Sequence, residues 1–174
     1  MASINGISLK AIKSFEGMEG TAWQGNVYVG TKKVAFWSQD GNGGADWFDM
    51  MNDFSKKKLV ESMKPYVDQK SIKLKIIDES FMYNLLWLNQ TEKEFKKALK
   101  KGYKAMLEVT DGFHIVYYYY PDTPASNAET LYLSIKNGVE GKFFKNKKIK
   151  YQLFKGLEDF CIGGQLRPED IKED

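Results

Sequence analysis

Apolar and polar positions alternate through the first fifty residues and then change rhythm. "ISLKAIKSF" (7–15) alternates imperfectly and runs into the polar turn "EGMEG". "TAWQGNVYV" (21–29) sets Ala22, Val27 and Val29 among polar neighbours, and "VAFWSQ" (34–39) follows after the short connection "GTKK". Period-two patterning with glycine or charge at the turns predicts an antiparallel meander of three strands. After "DGNGG", the segment "ADWFDM" reads as a short fourth strand.

Past residue 50 the spacing becomes helical. Phe54, Leu59, Val60 and Met63 predict a helix within 52–67, capped by Asn52, Asp53 or Ser55 and ended by Pro65. "IKLKII" (72–77) predicts a strand. "DESFMYNLLWLNQ" (78–90) predicts a helix with Phe81, Met82, Leu85, Leu86 and Leu88 on its apolar face. "TEKEFKKALKKG" (91–102) predicts a separate helix, with Thr91 and Glu94 as a capping box and Phe95, Ala98 and Leu99 facing inward. Gly102 stops it, and Lys96, Lys97, Lys100 and Lys101 suit the negative end of its dipole.

"YKAMLEVTDGFHIVYYYYP" (103–121) predicts a hairpin turning at Asp111-Gly112, its four tyrosines alternating between faces. "TLYLSIKN" (130–137) fits either a helix or a strand. "KIKYQLF" (148–154) reads as a last strand, and "KGLEDFCI" (155–162) as a short helix before a charged tail. The fold class is therefore α+β: a meander region over 1–50 beside an α+β region over 51–174, as two parts or one continuous domain.

Composition narrows the function classes. A hydrophobic content of 43% supports a real core, so disorder is not expected. No apolar run approaches a membrane span, and the start lacks a basic end followed by an apolar stretch. A lone cysteine, Cys161, suits a reducing compartment, and a cytoplasmic setting is expected. The net charge of +3 is too small for a nucleic-acid footprint by itself. Arg167 is the sole arginine, so the bidentate forks that read bases are missing, and sequence-specific DNA binding is not expected.

Candidate chemistry is sparse. "DGNGGADW" lacks the lysine and serine or threonine of a phosphate loop, and counting from Asp40 puts Met51 where a calcium loop needs glutamate. It reads as a turn. Asp46, Asp49 and Asp53 are the candidate ligands for a divalent metal, with Glu16 or Glu19, in a nuclease or hydrolase alternative. His114 and Cys161 are one each of their kind, too few for a soft metal site or a convincing nucleophile pair; the thiol is expected to be packed. No cofactor is expected. "GKFFKNKKIKYQLFK" (141–155) carries six lysines among Phe143, Phe144, Tyr151 and Phe154. Lys142, Lys145, Lys147, Lys148 and Lys150, joined by Lys96, Lys97 and Lys100, are the candidate surface for a polyanion or an acidic protein.

The opening "ISLKAIKSFEGMEGTAWQGNVYVGTKKVAFWSQDGNGG" resembles the start of small accessory proteins carried by bacteriophages and mobile elements. The shared pattern is an acidic-glycine turn around Glu16 to Gly20, a turn like Lys32, Lys33 and Val34, and the glycine-rich turn from Asp40 to Gly44. The likeness covers the first fifty residues well and the rest loosely. It implies a non-catalytic binder of a host protein or ribonucleoprotein complex, including an anti-CRISPR role against a Cas effector. The alternatives are the metal-dependent enzyme and a phage assembly protein.

Overall fold

Hydrogen bonding along the chain of the computed structural model builds the expected meander and extends it at both edges. The structure describes residues 1–16, 20–42, 44–112, 114–138 and 148–173. Strands β1 (Ser3–Ile4), β2 (Ile7–Glu16), β3 (Thr21–Val29), β4 (Lys32–Gln39) and β5 (Trp47–Met50) pair antiparallel in sequence order. A two-residue strand, β9 (Cys161–Ile162), joins β1 in parallel, giving the sheet order β5-β4-β3-β2-β1-β9.

Local residue chemistry explains the turns. Ile4 pairs with Ile7, leaving Asn5 and Gly6 at φ +52 and +72 to make the turn. Two consecutive positive φ values match the right-handed strand twist, and Asn-Gly is the pair that reaches them at least cost. Register shifts in β2 between Lys10 and Lys13, with Ala11 at φ +52, so the extra residues lie opposite Gly25. A Cβ at Gly25 would sit 3.3 Å from the Lys10 carbonyl oxygen, which is why the bulge faces a glycine.

The helices are α1 (Lys56–Met63), α2 (Gln69–Leu74), α3 (Ile77–Lys100) and α4 (Ala128–Lys136). Pro65 sits in a short 3-10 turn, Lys64–Tyr66, that follows α1 directly. The strand predicted over 72–77 does not form. Asp68 caps α2 by accepting from the Ser71 amide at 2.7 Å, and the chain leaves through Lys75 at φ +59 to enter α3.

The predicted break at Thr91 is also absent. Instead of capping a new helix, Thr91 lies wholly buried inside α3, where its hydroxyl donates to Glu108 Oε2 at 2.6 Å. A tertiary partner has displaced the local cap. At the far end Gly102, at φ +90, closes α3: its amide reaches the Leu99 carbonyl and the Tyr103 amide reaches that of Ala98. This is the paired bonding of a Schellman stop.

Two units divide the chain. The first comprises Met1–Gln90 with Cys161–Asp174, and the second is Thr91–Phe160. In the first, Ile7, Leu9, Val27, Val29, Ala35, Trp37 and Phe48 are buried on one side of the six-stranded sheet, and Leu59, Met63, Phe81, Met82 and Leu85 are the buried positions of its helices. The tail is tied down: Phe54 bridges to Lys172, and Ile171 is buried.

In the second unit, β6 (Ala105–Thr110) is central, with β7 (Ile115–Tyr120) and β8 (Lys150–Phe154) antiparallel on either side. Leu107, Val109 and Tyr132 form one cluster, packed by Tyr118, Tyr120, Tyr151 and Leu153 beneath α4. The opposite side carries Phe95, Phe160 and Phe154 in an aromatic series with centroids 5.5 and 4.3 Å apart. Tyr117 and Tyr119 belong to that side too, Tyr117 reaching Thr91 at 3.2 Å and Tyr119 lying 5.4 Å from the Tyr103 ring. The tyrosines therefore alternate as expected. Leu99 does not face inward; it is 39% exposed. The hairpin loop spans four residues rather than two, since Thr110 pairs with Ile115.

Candidate functional site

Strand register fixes what the six-stranded sheet displays on the side opposite its buried core. Cross-strand partners share a face. One row across β2 to β5 is Lys13, Gln24, Ser38 and Trp47. The next is Lys10, Asn26, Phe36 and Asp49, and a third sets Ser8, Tyr28 and Lys33 side by side. Trp47 is 68% exposed and Phe15, at the end of β2, 51%. Phe36 and Tyr28 are half-buried, and the Lys10 ammonium rests 4.0 Å above the Tyr28 ring.

Three properties follow. Trp47, Phe36 and Tyr28 each move one strand over and one row along, so they occupy a diagonal of positions across three neighbouring strands. Lysines and amides flank that diagonal on the β2 and β3 side. Asp49 is the only acid among the residues of these rows. Folding does not call for this set. An exposed strand face is adequately served by threonine and charge, whereas an indole left open to water is a binding group more often than a folding one.

The opposite side of β4 and β5 holds a polar cluster of another kind. Asp46 is only 8% exposed and accepts a 2.6 Å hydrogen bond from the Trp37 indole nitrogen. Burial pushes its carboxyl up to about 6, and the neighbouring Glu79 and Asp78 add to the rise, while the Trp37 bond and Lys56 oppose it. Glu79 is raised as well, first by burial and then by Asp78. Lys56 pairs with Asp78 at 3.3 Å and lies 5.0 Å from the Phe48 ring centroid. This arrangement anchors the β4–β5 connection to the starts of α1 and α3.

The sequence-predicted metal ligands do not gather there. Asp49 is exposed on the other face of β5, and Asp53 is exposed in a turn at φ +77. Among the described residues no group of three or more His, Cys, Asp or Glu side chains is placed to hold an ion. Glu16 is exposed, and Glu19 lies outside the described residues.

The glycine-rich stretch is a turn between β4 and β5. Gly41 has φ +77, and a Cβ there would meet the Ala22 amide nitrogen at 2.9 Å. Asp40 accepts from the Asn42 amide at 2.9 Å. His114 braces the β6–β7 loop, its ring nitrogen 3.2 Å from Asp111. Cys161 is exposed rather than packed.

Of the predicted lysine surface, Lys142, Lys145 and Lys147 lie outside the described residues. Lys148, Lys150, Lys96, Lys97 and Lys100 are exposed. Lys96 is bound to the buried Glu92 at 2.7 Å and Lys97 to Glu94 at 2.6 Å, so two of the α3 lysines are engaged within their own helix.

Alternation already separates Phe36 and Ser38 from Ala35 and Trp37 in the sequence. What it lacks is which side the core takes, and that is why the outer rows escape a reading of the residues alone. Among the described residues no helix is long and apolar enough to cross a membrane. Comparison with family models, curated proteins and solved structures found no match.

Proposed function

We propose that this chain is a non-catalytic binding protein that works through the outer face of its six-stranded sheet. The observation that carries the reading is the coincidence, on one open face, of the exposed Trp47 with Phe36, Tyr28, three lysines and two amides. Such a face supplies apolar area, hydrogen-bonding groups and positive charge, the means of recognition rather than of bond-breaking chemistry. An acidic protein or a ribonucleoprotein suits it best. The resemblance of the opening to phage accessory proteins is what favours a host defence complex as that partner, with a CRISPR-Cas effector as the specific case.

The test is affinity capture from host lysate, with and without nuclease treatment, comparing the wild type with Trp47→Ala and Lys13→Glu. Both substitutions fall at exposed positions and should leave the fold intact. Loss of the captured partner in both variants is the expected result. Capture that both variants retain in full would overturn the reading, as would manganese-dependent cleavage of nucleic acid by the purified chain.

A further inference from the structure

We infer that the ligand of this face is single-stranded nucleic acid, held by stacking on the aromatic diagonal and by lysine contacts to the backbone. The inference rests on the binding reading above and names its ligand class. An exposed Trp47 with Phe36 and Tyr28 on successive neighbouring strands offers aromatic surface to unpaired bases, whose faces a stacked duplex keeps covered. Trp47 is the exposed platform, and the half-buried Phe36 lies beside it on the diagonal. The third ring, Tyr28, is capped by Lys10, which also shares a row with Phe36 and so sets a positive charge close to both rings.

Charge decides between ligand classes. The outer rows hold Lys10, Lys13 and Lys33 against Asp49 alone, a surplus that favours a polyanion over a neutral glycan of equal flatness. Lysine also suits the task better than arginine would if no base sequence is read, because it meets phosphate as a point charge. Gln24, Asn26 and Ser38 lie between the rings and the lysines, where their polar groups can meet base edges.

The experiment uses the full chain with fluorescein-labelled oligo-uridylate and oligo-thymidylate, read by anisotropy at low salt. Heparin, a duplex of the same length and a neutral gluco-oligosaccharide serve as comparison arms. Both single strands, or one of them, should bind more tightly than the duplex, and the stronger arm identifies RNA or DNA as the source. Trp47→Ala should weaken binding roughly five- to a hundredfold, the range of one lost base stack. Lys13→Ala should lower the salt slope by about one phosphate contact. Tyr83→Ala, an exposed aromatic on α3, should change nothing.

Phe36→Ala adds a second stacking loss, and if its half-buried ring proves necessary for folding the Trp47 and Lys13 variants still decide. Oligonucleotide binding that Trp47→Ala leaves unchanged, or that heparin matches and the lysines alone explain, overturns the inference. So does preference for the oligosaccharide. If oligonucleotides fail to bind while partner capture still depends on Trp47, the nucleic-acid inference falls and the binding reading stands. If neither readout responds to Trp47 and Lys13, both fall.

Discussion

Replacing Asp46 by asparagine should stabilise the protein increasingly above about pH 4, and fully once the native carboxyl ionises. The folded site raises Asp46 from 3.8 to about 6, chiefly by burial. Between those two values the folded chain keeps a proton that the unfolded chain has released, so stability falls as pH rises through the window. Above it the cost is fully present; below about pH 4 it vanishes. The shift corresponds to about 3 kcal/mol at most, and solvent screening reduces this to about 1–2 kcal/mol. Asp46→Asn keeps an oxygen to accept the Trp37 indole hydrogen and removes the charge. Urea unfolding followed by tryptophan fluorescence, at about pH 4 and about pH 8, gives the comparison. The midpoint should rise at the higher pH and stay level at the lower. A variant less stable than the parent at about pH 8, or equally shifted at both, would refute the assignment of the cost to a buried charge. Asp46→Ala provides the converse control: with no acceptor left for the indole, it should lose about 1–3 kcal/mol even at low pH.

Gly41→Val should cost about 2 kcal/mol or more in thermal or urea unfolding, because positive φ and the 2.9 Å approach to Ala22 both oppose a side chain. Asn42→Ala should change stability by at most about 1 kcal/mol, since its bond to Asp40 comes from the backbone amide. Thr91→Val should destabilise by about 1–3 kcal/mol by withdrawing a hydrogen bond from the buried Glu108, and Thr91→Ser should recover most of it. Charge reversal at Lys145, Lys147 and Lys148 should reduce partner capture, more so at about 50 than at about 300 mM salt, if that segment adds to the positive potential; unchanged capture across the range would remove it from the binding surface.

Elements whose local signals agree with their surroundings were legible from residues alone. The meander from Ile7 to Met50 shows in alternation, and the stop at Gly102 in one residue's backbone freedom. Two readings failed because distant partners outvoted local preference. Thr91 looks like a cap, but Glu108 claims its hydroxyl from another strand. "IKLKII" alternates like a strand, yet Asp68 upstream starts a helix through it. Asn5-Gly6 was the opposite case: the hairpin signal is plain, but the strand before it is only two residues long and has no periodicity to notice. The candidate face was half legible. Its lysines and aromatics sit in predicted strands, while their assembly into rows depends on the bulge at Ala11 and on register, which no single strand specifies.

Because the first unit is built from two separated stretches, synthesis and folding are out of step. The ribosome delivers β1 to β5 and the first three helices early. The strand that completes the sheet beside β1, and Ile171 that fills its core, emerge only after residues 91–160 have been made. At about 5–20 residues per second the unfinished β1 edge waits several seconds with its backbone groups unpaired. The second unit is contiguous, and all three of its strands have been made before β9 emerges. During translation the second unit is therefore complete in sequence before the first unit that it interrupts, and folding of the first unit waits on residues 161–174.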